Sequence, residues 1–81
     1  MEKCYKVLIT IKNQSGQFGG GKDPHCFINL SHDEETAKLK AMIDAYNLYP
    51  IEQGWSYEVK SVEEKTRQDV EDFLFRGKSL C

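Results

Sequence analysis

Three cysteines, two histidines and a run of glycines ending in lysine are the residues of this sequence whose types could do chemistry. The thiols are Cys4, Cys26 and Cys81, and the imidazoles are His25 and His32. A thiolate beside an imidazole makes a nucleophile and its base, and His25 precedes Cys26 directly. Zinc would use the same residue types, but it wants paired ligands at spacings such as C-x2-C or H-x3-H. No such pair occurs, so no metal site is expected. An odd cysteine count does not suit the disulfide framework of a small secreted domain. Free thiols in a reducing compartment are the simpler expectation.

The stretch Gly16-Gln17-Phe18-Gly19-Gly20-Gly21-Lys22 matches G-x-x-x-x-G-K, most of a phosphate-binding P-loop. Asp23 stands where that loop needs the hydroxyl of Ser or Thr. Pro24 and a strand-like segment follow, where the phosphates need the N-terminus of a helix. Nucleotide hydrolysis is therefore not expected. A lesser chemistry survives: the amides of Gly19, Gly20 and Gly21 could form an anion-binding nest assisted by Lys22. The plainer reading is a flexible hairpin loop whose glycines serve tight turns. The carboxylates Glu63, Glu64, Asp69, Glu71 and Asp72 cluster in sequence, but paired catalytic acids need burial to separate their pKa values. No nucleophile, base and orienting group can be assembled, so neither catalysis nor a cofactor is expected.

The elements that must position these residues are short. The 81 residues carry 11 basic and 13 acidic side chains and are 40% hydrophobic, which suits one soluble domain spanning 1–81. No apolar run is long enough to cross a bilayer, and no secretory leader is recognisable, so cytoplasmic residence without membrane attachment is expected. Residues 4–12 alternate, with Tyr5, Val7, Ile9 and Ile11 on one face, as a half-buried strand should. Residues 13–24 form a flexible glycine-rich loop. Residues 25–30 make a second strand, with Cys26, Ile28 and Leu30 assigned to the core. Ser31 and Glu34 have the spacing of a capping box. The helix they open buries Leu39, Met42, Ile43 and Tyr46 at helical spacing and ends near residue 47. A third strand covers 55–62. Thr66 and Asp69 cap a second helix with Val70, Phe73 and Leu74 as its apolar face and Gly77 as its stop. The order β-β-α-β-α predicts an α+β two-layer sandwich: a three-stranded sheet of order 2-1-3 with both helices on one face.

Charge is uneven. Residues 1–30 hold four lysines against two acids (+2), and residues 31–81 hold seven basic against eleven acidic side chains (−4). Such a dipolar layout can orient a charged partner. The leading expectation is a non-enzymatic protein that docks to another macromolecule, most simply a protein. Asp69, Glu71 and Asp72 of the second helix, with Phe75 and loop residue Phe18, are its expected contacts. The alternative is a binder of a phosphorylated ligand or single-stranded nucleic acid. It would use Gly19, Gly20, Gly21 and Lys22 with Lys6, Lys12, Phe27 and Lys60, on an outer sheet face that also shows Leu8, Thr10, His25, Asn29, Ser56, Glu58 and Val62. An open sheet edge also leaves a route to a homodimer. In size, acidity and lack of a catalytic set the chain resembles the small inhibitors that phages make against host defence systems. The resemblance covers no motif; it implies an inhibitor or regulator.

Overall fold

The computed structural model describes residues 2–81. It contains five regular elements: β1 (Lys3–Lys12), β2 (His25–Ser31), α1 (Glu34–Leu48), β3 (Ser56–Lys65) and α2 (Arg67–Arg76), with short 3-10 turns at Gly19–Gly21 and Ile51–Gln53. The sheet has the order β2-β1-β3. Both outer strands run antiparallel to β1, so they are parallel to each other. The α+β class, the element order and the strand order are those the sequence predicts.

β1 is central because it is the most apolar strand. Its Tyr5, Val7, Ile9 and Ile11 are buried as the alternation predicts. Val7 pairs with Phe27 and Ile9 with His25, and paired residues of antiparallel strands share a face. β2 therefore turns His25, Phe27 and Asn29 inward, not Cys26, Ile28 and Leu30. The expected phase is inverted because residues 26, 27, 28 and 30 are all apolar or nearly so, and period alone cannot choose between the faces. Phe27 fills the core, and the polar residues beside it are satisfied. Asn29 Nδ2 donates to the Ala37 carbonyl at 3.1 Å, and Ser31 Oγ donates to Asn29 Oδ1 at 2.7 Å. No buried side-chain polar atom among the described residues lacks a partner.

Ser31 is thus a buried strand residue and not a helix cap. Asp33 caps α1 instead, accepting the Thr36 N–H at 2.8 Å. The buried face of α1 is Ala37, Ala41 and Ala45. The expected stripe is turned away: Leu39 is 64% exposed, Ile43 60% and Tyr46 41%, and only Met42 packs against the core. The helix carries two apolar stripes, one of alanines and one of larger residues, so periodicity could not say which of them meets the sheet. Alanine lets the helix backbone approach the bulky β1 side chains closely.

β3 carries a bulge opposite Leu8 and Ile9: Leu8 faces Ser61 while Ile9 faces Val59, leaving Lys60 as the extra residue. The extra residue resets the alternation, so Tyr57, Val59 and Val62 all pack on the core. Val62 does not belong to the outer face where strict alternation places it.

Only α1 lies against the buried face. The chain leaving α2 is bonded to the opposite one, through a disulfide between Cys81 and Cys26 with Cα atoms 6.0 Å apart. The start of α2 faces the same side: Arg67 and Val70 border a hollow shared with Cys4, Leu30 and Lys65, all outer-face residues by register. α2 buries no residue. Its expected apolar face stays open, with Phe73 47% and Leu74 63% exposed.

Candidate functional site

The glycine-rich loop is a packed structure. Asn13 Oδ1 accepts the N–H groups of Ser15 and Gln17 at 2.9 and 3.0 Å, which closes the turn after β1. Thr10 Oγ1 donates to Asp23 Oδ1 at 2.7 Å, and His25 Nε2 lies 2.7 Å from the Gly19 carbonyl oxygen. The Tyr49 ring sits on Gly19, where a Cβ would lie 3.0 Å from ring carbons, and at Gly20 a Cβ would lie 2.8 Å from the Tyr49 hydroxyl oxygen. The glycines are there because an aromatic ring occupies the space of their side chains. Tyr49 in turn meets His25 and Trp55 edge to face, at centroid separations of 5.4 and 4.9 Å.

This geometry leaves little for an anion. The Gly21 N–H donates to the Phe18 carbonyl and the Lys22 N–H to the Gly19 carbonyl. A nest needs successive free amides, and two in the stretch Gly19–Lys22 are already taken. The outer-face residues expected to cooperate with them do not converge. Phe27 lies in the core on the other side of the sheet. Lys6 is paired with Glu63 at 3.1 Å and Lys60 with Glu58 at 3.4 Å. Lys12 lies over the Phe18 ring, 5.4 Å from its centroid. The Lys6 ammonium, hydrogen-bonded to Glu63 and helped by Lys65, holds that carboxyl below its ordinary range.

The expected contacts on α2 divide in two. Asp69 completes the capping box with Thr66: its side chain accepts the Thr66 N–H at 3.0 Å and Thr66 Oγ1 accepts the Asp69 N–H at 3.1 Å. Those hydrogen bonds hold its carboxyl below the ordinary aspartate value. Glu71 binds Arg67 at 3.1 Å, and Asp72 lies within 4.0 Å of both Arg76 and Lys78. These acids neutralise the helix's own cations. Phe75, by contrast, is 81% exposed, and Phe18 is 37% exposed beneath Lys12.

The groups weighed for nucleophilic chemistry are also placed. Cys26 is oxidised, so the expectation of three free thiols is corrected: only Cys4 remains a thiol, and burial pushes its pKa up against the opposing pull of Lys65. The odd count concealed one pair and one single. A shallow open cleft of about 450 Å³ lies between Asn13, Gln14 and Ser15 of the first loop and Glu52, Gln53 and Gly54 before β3. Asn13 is committed to its turn, and Glu52 accepts a hydrogen bond from the Tyr46 hydroxyl, which lowers the carboxyl pKa and raises that of the phenol.

The surface that sequence reasoning missed is the outward face of α1. Leu39, Ile43 and Tyr46 follow the i, i+4, i+7 spacing of one helix face and point away from the alanines. The signal was present in the sequence as the alternative stripe Ala37, Ala41, Ala45, at i, i+4, i+8. Among the described residues no helix is long and apolar enough to cross a membrane. No protein-family model matches the chain, and no curated protein or solved structure matches it.

Proposed function

We propose that this protein works by recognition, docking to another protein through the outward face of α1. The observation that supports the reading is a helix with two apolar faces of which only the alanine face is used. Leu39, Ile43 and Tyr46 are each more than two-fifths exposed on the other. An apolar stripe on a helix ordinarily marks a face that packs against something, and the helix's buried contacts here stop at Ala37, Ala41 and Ala45. Large aromatic and aliphatic side chains grouped on an exposed helix face are the usual anchors of an interface. Phe75 is exposed on α2, across the sheet from this face, and so stands outside this surface, while the acids of α2 serve their own helix. The Cys26–Cys81 bond favours an oxidising environment over the expected cytoplasm. Recognition in place of catalysis is in keeping with a disulfide-bonded Cys26 and a His25 engaged by the Gly19 carbonyl.

The test is affinity capture from the native source, comparing the parent chain with a Leu39→Ser/Ile43→Ser double variant and with Phe75→Ser. The double variant is expected to keep its circular dichroism spectrum and lose the partner. A folded double variant that captures the same partner in the same yield would refute the assignment of the α1 face.

A further inference from the structure

The sheet has two open edges, and their chemistry differs. The β3 edge carries Glu58, Lys60, Glu63, Glu64 and Lys65 along ten residues, and it is bent by the bulge at Lys60. Charges and a bulge are two of the devices that stop an edge strand from pairing with another chain. The β2 edge has neither. Its seven residues, His-Cys-Phe-Ile-Asn-Leu-Ser, include no Asp, Glu, Lys or Arg, no proline and no bulge. Among the described residues no backbone group outside the sheet bonds to β2. The one side chain that donates to its backbone is Lys40, on the Leu30 carbonyl.

We infer that the β2 edge is a self-association surface, and that a second copy of this chain pairs with it antiparallel about a two-fold axis at Ile28. That register uses the whole strand. Ile28 meets its counterpart, Cys26 meets Leu30, Phe27 meets Asn29 and His25 meets Ser31. No pair sets two Lys, Arg, Asp or Glu side chains of like charge against each other, which would oppose pairing. Leu30, 57% exposed in the single chain, comes to lie opposite the Cys26–Cys81 bridge of the second copy and is covered by it. The result is a continuous six-stranded sheet with both α1 helices on one face and antiparallel to each other.

The helix above this edge is consistent with the same two-fold. Lys40 reaches Leu30 from α1, so the flank of α1 that bears Lys40 also overhangs β2. Asp44 lies one turn further along that flank and has no ion-pair partner within 4.0 Å among the described residues. A two-fold that runs the helices antiparallel sends Lys40 of each copy, which in the single chain lies 3.8 Å from Glu2, toward Asp44 of the other. This surface is separate from the outward face of α1, and either assignment can fail without the other.

Sedimentation velocity from low micromolar to millimolar chain, in non-reducing buffer, is the test. The parent chain is expected to pass from monomer to dimer across that range. Ile28→Lys, which sets two ammonium groups face to face on the axis, is expected to remain monomeric, and Leu39→Ser/Ile43→Ser is expected to dimerise like the parent. Amide exchange on the parent guards against a misfolded Ile28→Lys. Protection of 25–31 should rise with chain concentration while that of 56–65 stays level. A parent that is monomeric throughout, even if it takes an extended peptide on this edge, would overturn the inference. So would a dimer whose 25–31 amides exchange as fast as the monomer's, or one that the α1 double variant abolishes.

Discussion

Gly19 shows how a residue chosen for one reason can resemble another. In sequence it belongs to a phosphate-loop pattern; in space it is the flat seat of the Tyr49 ring. Gly19→Ala is expected to destabilise the fold by about 1–3 kcal/mol through overpacking, read as a lowered urea midpoint with an unchanged slope. Combined with Tyr49→Leu, which relieves the crowding, the loss should be less than the sum of the two single losses. The helix caps make a second prediction. The Thr36 N–H lowers the Asp33 pKa from its ordinary 3.8, and the Thr66 N–H does the same for Asp69. A depressed folded-state pKa means a contribution that is complete above the unfolded value and lost as pH falls through the folded one. Helix ends should therefore be unaffected by pH well above 3.8 and fray below it. Carboxyl resonances followed with far-ultraviolet dichroism check this, with both aspartates titrating below the ordinary value.

At the scale of elements, periodicity found each strand and helix within a few residues but misplaced the faces of β2 and α1, the end of β3, and the apolar face of α2, which stays open. β1 was unambiguous because Lys6, Thr10 and Lys12 mark its outer side against Tyr5, Val7, Ile9 and Ile11. β2, α1 and β3 were not. β2 has apolar residues on both sides, α1 offers an alanine stripe and a leucine-isoleucine-tyrosine stripe that both suit a helix face, and β3 changes phase at its bulge. The second helix cap was legible because Thr66 and Asp69 act within four residues, whereas Ser31 has the right spacing but belongs to β2. The observed faces reverse the usual expectation for α1 substitutions. Ala41→Leu should cost about 1–3 kcal/mol by forcing the helix off the sheet, and Leu39→Ser should change stability by no more than about 0.5 kcal/mol, as exposed positions do. Chemical denaturation of the two variants side by side decides the matter; the opposite ranking would mean that the helix is rotated about its axis.

At the scale of the whole molecule, the Cys26–Cys81 bond joins positions 55 residues apart and ties the end of the chain to the outer face of the sheet. α2 has no buried residue to hold it there, and a ten-residue helix is marginal alone. Reduction, or Cys81→Ser, is expected to lower stability by about 2–4 kcal/mol. It should also loosen α2 well before the β1–α1 core, which retains Val7, Ile9, Ile11 and the three buried alanines. Amide exchange with and without a thiol reductant measures both effects. Equal protection of α2 in the two states would show that packing and the capping box suffice to hold it.

What the sequence determined alone were properties set by neighbours along the chain: where strands and helices lie, the α2 cap, the central place of β1 and the 2-1-3 order that a β-β-α-β connection imposes. What only the tertiary structure decided were relations between distant residues. These include the phase of β2 against β1, the choice of α1 face, the partner of Cys26, and the discovery that a phosphate-like loop is spaced for an aromatic ring. Local propensity and period depend on residues a few positions apart, so one strand of text carries them. A face, a thiol partner or a ring contact depends on which element comes to lie opposite. Here the decisive quantities were the bulk of Phe27, the smallness of three alanines and the reach of Cys81 back to β2.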